Sequence, residues 1–212
     1  MMKFHKQQVF FSGDWHYNHL QPFIWEARGY KSVQEHNESL VREINNVVAP
    51  EDILFNLGDL CLNASIEQFE ELISAVKCQT IYLLWGNHPN KHYKNIYKPM
   101  VKSILGDRFS DLNEIYPLRY KNVVYLGHYA EICVNGQMII LSHYPFSIWN
   151  EMNHSSWCLT GHSHYHFAPS TAEDSTSKIL DVGWDGHKKP WSFDEIKEVM
   201  ATKKVPVVDH HV

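Results

Sequence analysis

The chain has 212 residues, of which 44% are hydrophobic, and its formal net charge is -5. This length is sufficient for one well-buried core, so we expect a single domain over residues 1–212. The negative charge argues against a protein that mainly coats nucleic acid, because such proteins usually carry a basic excess.

The sequence contains no apolar run that approaches the length of a membrane span. The polar segment at residues 1–8 leads directly into the first predicted strand, so cleavage of a signal peptide would remove part of the candidate site. The four cysteines, at positions 61, 78, 133 and 158, lack the close spacing of zinc ribbons and redox motifs. We therefore expect a cytoplasmic protein with reduced thiols and no membrane partner.

Five short apolar runs are each followed by a polar residue that can bind a metal. They span residues 9–11, 54–57, 81–85, 138–141 and 157–160. Such runs, bounded by Gly, are typical of buried strands. Because open sheets bind ligands beyond the carboxyl ends of their strands, the polar residues that follow are candidate site residues.

Helices are predicted between the first three strands. Ser32 with Glu35, and Ser65 with Gln68, match the capping-box pattern, and apolar residues at helical spacing follow each pair. We predict a polar and aromatic loop over residues 17–30. The alternation of strand and helix over the first 85 residues indicates parallel strands with crossover helices.

The second half of the chain has a different pattern. Short strands are predicted over residues 123–126, 131–134 and 137–141, and Asn135-Gly136 is a strong hairpin signal. The polar segment 168–178 is predicted to be a mobile loop, and a strand at residues 179–182 follows it. The last predicted helix is capped by Ser192 and Glu195. Antiparallel pairing in this half suggests a second, mixed sheet that packs against the first.

Five motifs follow these strands in order. They are D-x-H at residues 14–16, G-D at 58–59, G-N-H at 86–88, a histidine at 143 and G-H-x-H at 161–164. In this order and spacing the motifs resemble the calcineurin-like metallophosphoesterase family over about residues 9–185, and in particular its small single-domain phosphohydrolases of bacteria and phages. The resemblance implies an α/β fold, a four-layer α-β-β-α sandwich of two mixed sheets with the metal site at the carboxyl ends of the strands.

The resemblance also implies two divalent ions that share the carboxylate of Asp59. The first ion would be held by Asp14, His16, Asp59 and His164. The second ion would be held by Asp59, Asn87, His143 and His162. Oxygen and imidazole donors suit Mn, Fe, Zn or Ni, and ligands this similar leave the choice among these metals open.

The charge of this site suits a phosphoester substrate. Two divalent ions that face only two carboxylates leave a positive centre, and they lower the pKa of bound water from ~15.7 to near ~7. A metal-bridged hydroxide would then attack phosphorus in line. His88 lies next to Asn87 but is not a ligand in the family, and it is the predicted general acid for the leaving oxygen. His19 and Arg28 are predicted to bind the substrate, although a turn and a solvated position are alternative interpretations of these two residues.

The hypothesis that follows is a metallophosphoesterase, with a small phosphodiester or a nucleotide as the favoured substrate. The nearest alternative is a metal-dependent nuclease, and a non-catalytic metal-binding scaffold is the alternative outside the enzyme class. The lysines between positions 91 and 102 are interpreted as a solvated helical face, with a patch that attracts polyanions as the alternative. The sequence leaves open the oligomeric state and the roles of Asp181, Asp185 and His187.

Overall fold

The computed structural model describes residues 1–62, 64–87, 93–106 and 117–205. His88, the predicted general acid, and Lys91 lie outside the described residues. Within the described residues the strands are β1 (Met2–Phe4), β2 (Val9–Ser12), β3 (Ile53–Asn56), β4 (Thr80–Leu84), β5 (Leu118–Tyr120), β6 (Val123–Gly127), β7 (Tyr129–Val134), β8 (Gln137–Ser142), β9 (Trp157–Thr160), β10 (Ile179–Asp181) and β11 (Trp191–Ser192). The α-helices are α1 (Pro22–Ala27), α2 (Val33–Val47), α3 (Ile66–Ala75), α4 (Lys98–Leu105), α5 (Trp184–His187) and α6 (Phe193–Thr202).

These strands form two mixed sheets. The six-stranded sheet has the order β11-β2-β3-β4-β6-β5, in which β2, β3, β4 and β6 are parallel and the two edge strands are antiparallel. The five-stranded sheet has the order β1-β7-β8-β9-β10, in which only β7 and β8 pair antiparallel. The predicted α/β class with two mixed sheets is confirmed.

The sheets pack face to face, and their inner faces form one apolar cluster. Phe11 and Phe55 point inward from β2 and β3 and stack at a ring-centroid distance of 5.4 Å, whereas Phe10 and Leu54 point to the outer face. The five-stranded sheet contributes the inward side chains Ile132, Val134, Ile139, Leu141, Trp157, Leu159 and Leu180. Both faces of the six-stranded sheet are covered, so every residue of β2 and β3 is buried whichever face it points to. This is usual for parallel strands.

The outer face of the six-stranded sheet is covered by helices α2 and α3. Leu40 and Ile44 of α2, with Phe69 and Leu72 of α3, pack against this face and are fully buried. The outer face of the five-stranded sheet has a smaller cover. Trp149 and Met152 pack there against Ile140, Cys158 and Ile179. The short 3-10 helix Met152–His154 lies in this segment.

Local sequence signals place most elements correctly. The hairpin between β7 and β8 turns at Asn135 and Gly136, which both have positive φ as this turn requires. The Ser65 and Ser192 caps form complete capping boxes. The Ser32 side chain accepts from the Glu35 backbone, but the Glu35 carboxylate bonds the backbone of Lys31 instead of closing the box.

Two predicted loops contain more structure than expected. The prediction of a loop over residues 17–30 was wrong in part, because Pro22 begins helix α1 there. The segment 168–178 includes the 3-10 helix Ala168–Ser170, and Lys203 Nζ donates hydrogen bonds to the carbonyls of Thr171 and Asp174. None of the helices in the described ranges is long and apolar enough to cross a membrane.

Candidate metal centre

The carboxyl ends of strands from both sheets meet at one edge of the sandwich. Asp14 follows β2, and its backbone N–H donates to the carbonyl of Gly58 after β3 at 3.0 Å. Across the sandwich, the Asp14 carboxylate accepts from the backbone N–H of His162 after β9 at 2.9 Å. His143 follows β8, and its Nδ1 donates to the carbonyl of Leu57 at 2.9 Å. The bonds of His162 and His143 tie the two sheets together where the candidate ligands lie.

Two groups of side chains that could hold a metal ion lie at this edge, and they share Asp14. In each group the ligand atoms lie within 4.8 Å of one another. The first group contains Asp14, His16 and His164, and the second contains Asp14, Asp59 and His143. His16 Nε2 is 3.9 Å from Asp14 Oδ1, which is close enough for both atoms to contact one ion at about 2.0 to 2.2 Å each.

The remaining predicted ligands lie beside these groups. The ring of His162 contacts the ring of His143 at 5.1 Å, at the outer side of the second group. Asn87 is exposed at the end of β4. It directly follows Gly86, whose backbone lies against Asp59.

Most of these ligand residues have a strained backbone. Asp14, His16, Asp59, His162 and His164 all have φ between 49° and 69°. Left-handed backbone costs about 1 to 3 kcal/mol at residues other than Gly, and it persists only where surrounding contacts enforce it. Such strain is common at functional sites, where it directs side chains toward one point.

Two glycines allow the chain to approach the ligands closely. A Cβ at Gly86 would lie 1.9 Å from Asp59 Oδ1, and a Cβ at Gly58 would lie 2.6 Å from His143 Nδ1. Gly58 also has a φ of 110°, which other residues rarely adopt. Only Gly therefore fits beside Asp59 and His143 at these positions.

The electrostatics of this edge suit a cation. Asp14 Oδ1 and His143 Nε2 are buried and have no hydrogen-bond partner among the described residues. Burial raises the pKa of Asp14 to about 8, and the neighbouring Asp181 carboxylate adds to this rise. Burial also lowers the pKa of His143 and favours the neutral imidazole that binds metals. Unpartnered lone pairs and uncompensated carboxylates are the features that a bound divalent cation would satisfy.

Arg28 does not lie where a substrate would reach it. Its side chain is buried, and each of its N–H groups has an acceptor within the protein. These acceptors are both carboxylate oxygens of Asp185, the carbonyls of Asp14 and Trp15, and Nε2 of His36. The prediction that Arg28 binds substrate is therefore corrected, because no donor is left for a phosphate.

His19 stays a candidate for substrate contact. Its ring lies 5.6 Å from the ring of His16 and 5.2 Å from that of Phe23, and its Nδ1 donates to the carbonyl of Gln21. Only 4% of the residue is exposed. Trp15, between two candidate ligands, is fully buried and donates from Nε1 to Ser12, so it packs beneath the site.

Asp181 at the end of β10, and Asp185 and His187 in helix α5, make different contacts. Asp185 accepts from Nδ1 of His164 at 2.7 Å. Asp181 accepts from the hydroxyl of Ser163 and the backbone of Tyr165, and so anchors the loop that carries two ligands. His187 stacks on Trp191 instead. The sequence leaves these roles open, because spacing alone does not distinguish a turn from a contact with a ligand.

Comparison with known proteins agrees with this geometry. A family model of calcineurin-like phosphoesterases matches residues 8–207. The chain belongs to the calcineurin-like phosphoesterase family. This family assignment supports a metal-dependent hydrolase of phosphoesters, and the two ligand groups are consistent with it.

Two further proteins are similar to this phosphoesterase along most of its length. An uncharacterized protein of Methanocaldococcus jannaschii is 24% identical over 202 residues, which cover 94% of each chain. The crystal structure of a protein of unknown function from Aquifex aeolicus superposes with a TM-score of 0.60 at 18% identity. The superposition covers 92% of this chain and 100% of the other. At this low identity the similarity supports the fold assignment alone.

Replacing Gly86 with Ala should weaken metal binding by at least about tenfold, the scale of losses when the surroundings of a ligand are disturbed. The added methyl would overlap Asp59 Oδ1 and displace that carboxylate. Isothermal titration of the metal-free protein with Mn(II) measures the effect. Gly13→Ala is the matched control, because its Cβ would meet nothing closer than 3.7 Å. Equal affinities in the two variants would contradict the assigned position of Asp59.

Replacing His36 with Gln should reduce the loss of stability at acid pH. Burial and the charge of Arg28 lower the pKa of His36 to about 4 in the folded protein. As pH falls below about 6.5, His36 becomes protonated in the unfolded chain but stays neutral in the folded protein. The free energy of unfolding therefore decreases until about pH 4, where the folded protein also binds this proton. Gln keeps a carbonyl acceptor for Arg28 but does not titrate.

Urea unfolding in the presence of chelator, at several pH values, tests this difference. Between pH 6.5 and 4 the wild-type protein should lose up to about 3 kcal/mol more than His36→Gln. Identical pH profiles for the two proteins would show that His36 does not contribute.

Proposed function

We propose that the chain is a binuclear metal-dependent phosphoesterase that acts on a small phosphodiester or a nucleotide. The observation that carries this proposal is the position of Asp59 Oδ2. This oxygen is 3.9 Å from His16 Nε2 and 3.8 Å from His143 Nε2, which belong to different ligand groups. A carboxylate placed between two such imidazoles is suited to bridge two ions about 3.5 to 4 Å apart.

The proposed ligands of the two ions are those that the family resemblance implies. Asp14, His16, Asp59 and His164 would hold the first ion. Asp59, Asn87, His143 and His162 would hold the second. When bound, these divalent ions would lower the pKa of a coordinated water and offset negative charge on the phosphoryl group. The protein's part is to present neutral imidazoles and two carboxylates at fixed positions, which leaves the loaded centre positive and attractive to an anion.

Exposed aromatic rings beside the ligands favour a substrate with a flat ring. Tyr144 is 46% exposed, and its ring packs 4.7 Å from that of His162. Phe23 is 64% exposed and packs against His19, which in turn contacts His16. Tyr144 thus contacts a proposed ligand directly, and Phe23 is separated from His16 by the ring of His19. Aromatic side chains in such positions stack nucleobases, and this supports a nucleotide or an aromatic ester.

A nuclease is the second candidate, because an exposed basic face lies on one helix of the protein. Lys98 and Lys102 of α4, and Lys94 before it, are exposed. Such a face can attract a polyanion, although the net charge of -5 works against tight binding to long nucleic acid. A non-catalytic scaffold is the third candidate. Unlike the two enzyme hypotheses, it predicts metal binding without turnover.

Hydrolysis of bis(p-nitrophenyl) phosphate should disappear when the protein is treated with chelator and return with Mn(II). The same preparation should be assayed on cyclic nucleotides, simple nucleotides and single-stranded nucleic acid. We expect the highest kcat/KM on a nucleotide or small diester, because the rings beside the site can stack one base. A preference for single-stranded nucleic acid would favour the nuclease. Metal binding without hydrolysis of any substrate, whichever metal is supplied, would favour the scaffold.

Replacing His88 with Ala should lower kcat by about 10² to 10⁴ on a nucleotide, because the leaving oxygen then receives no proton. The loss should be much smaller on bis(p-nitrophenyl) phosphate, whose nitrophenolate leaves without protonation. Metal content measured beside the kinetics should stay at the wild-type value, since His88 is not a proposed ligand. An equal loss on both substrates would argue that His88 acts in some other way than as general acid.

A further inference from the structure

Arg28 and Asp185 form a buried ion pair directly behind the first ligand group. Arg28 Nη2 lies 2.7 Å from Asp185 Oδ2, and its Nε lies 2.9 Å from Asp185 Oδ1, so the pair is bidentate. The Arg28 side chain is 1% exposed and that of Asp185 is 21% exposed. Such a pair has a fixed geometry that a single Lys would not reproduce.

The pair reaches His164 through the carboxylate. Asp185 Oδ2 accepts a hydrogen bond from His164 Nδ1 at 2.7 Å. With its proton fixed on Nδ1, the imidazole presents Nε2 as the ligand atom. A carboxylate behind an imidazole ligand also raises its basicity and holds the ring in one orientation.

The pair reaches the other two members of that group through the backbone. Arg28 donates to the carbonyl of Asp14 at 2.7 Å and to that of Trp15, next to His16, at 3.1 Å. Asp14 and His16 have φ of 52° and 49°, so this segment needs outside contacts to keep its conformation. The guanidinium supplies two of them.

The second ligand group is supported differently. Its imidazole, His143, donates to the neutral carbonyl of Leu57 rather than to a carboxylate. Asp14 is the one residue of this group that the pair touches, through its backbone carbonyl. The ion pair therefore bonds His164 and Asp14 of the first group and the residue before His16. His143 of the second group bonds the backbone carbonyl of Leu57 instead.

From these contacts we propose that Arg28 and Asp185 are positioning residues that set metal affinity selectively at the first site, through its ligands Asp14, His16 and His164. This inference rests on the proposed binuclear centre. It states that metal affinity at the first site depends on the Arg28–Asp185 pair and that affinity at the second does not. Breaking the pair should therefore release one ion and leave the other bound.

Asp185→Asn tests the proposal, because Asn has nearly the same size but no charge to hold the His164 proton. Titration of the metal-free variant with Mn(II) should show one dissociation constant raised about 10- to 100-fold and the other unchanged. At a Mn(II) concentration between the two constants, elemental analysis should find one ion per chain instead of two. The electron paramagnetic resonance spectrum should change from that of coupled ions to that of an isolated Mn(II).

Asp52→Asn is the matched control. Asp52 is also a buried carboxylate that accepts a backbone hydrogen bond, but it precedes β3 at the opposite end of the sheet. It should bind two ions as the wild-type protein does. If Asp185→Asn fails to fold, Arg28→Lys keeps a cation at this position but cannot form the bidentate pair with Asp185. It should show the same loss of one ion.

The outcomes separate this inference from the proposed function. Two ions bound by wild type and by the Asp185 variant with equal affinities would overturn the inference and leave the binuclear centre in place. Loss of both ions from a folded variant would overturn its selectivity. A wild-type protein that binds no second ion would overturn the binuclear proposal and this inference with it.

Discussion

The structure depends on bringing buried carboxylates and imidazoles together at one edge of a sandwich. Asp14, Asp59 and Asp181 are all within the buried part of the protein, and their mutual repulsion is part of the reason that the pKa of Asp14 rises. Burial of like charges is costly unless they are paired or coordinate a metal. The arrangement is therefore understandable as one whose electrostatic balance a divalent cation would complete.

Hydrogen bonds behind the ligands fix this edge, and they are of two kinds. His143 is oriented by a backbone carbonyl, which is a property of the strand beside it. His164 is oriented by the carboxylate of Asp185, which Arg28 holds in turn. Burial alone would raise the pKa of Asp185, but the bonds from His164 and Arg28 lower the pKa below its usual value, so the carboxylate stays charged. The first group thus depends on side chains distant in sequence, whereas the second depends mainly on the backbone of the sheet.

Backbone conformation and chemistry are linked at the same edge. Left-handed conformations at five ligand residues direct their side chains toward one point, and Gly58 and Gly86 leave room for Asp59 and His143 between the strand ends. Neither feature favours folding by itself, because non-glycine residues avoid this conformation and glycine adds flexibility to the unfolded chain. Both are the expected cost of placing several ligands within reach of the same ions.

Much of the fold and of the candidate site could be predicted from the sequence. Asp14, His16, Asp59, His143 and His164 each follow a short apolar run, and parallel strands bring their carboxyl ends to one edge. The strand β1 and the helix α1 were not predicted, because three residues and six residues are too short for a clear periodic signal.

The sequence by itself determined which strands are followed by candidate metal ligands and whether these ligands are carboxylates, amides or imidazoles. Both features are encoded locally, in motifs of a few residues. The tertiary structure alone decided which distant side chains support them. Arg28 and Asp185 are 157 positions apart, and the mixed sheets and helix α1 bring them together. The sequence around Arg28 does not predict this contact, because an Arg on a polar segment is equally consistent with a solvated side chain or a substrate contact.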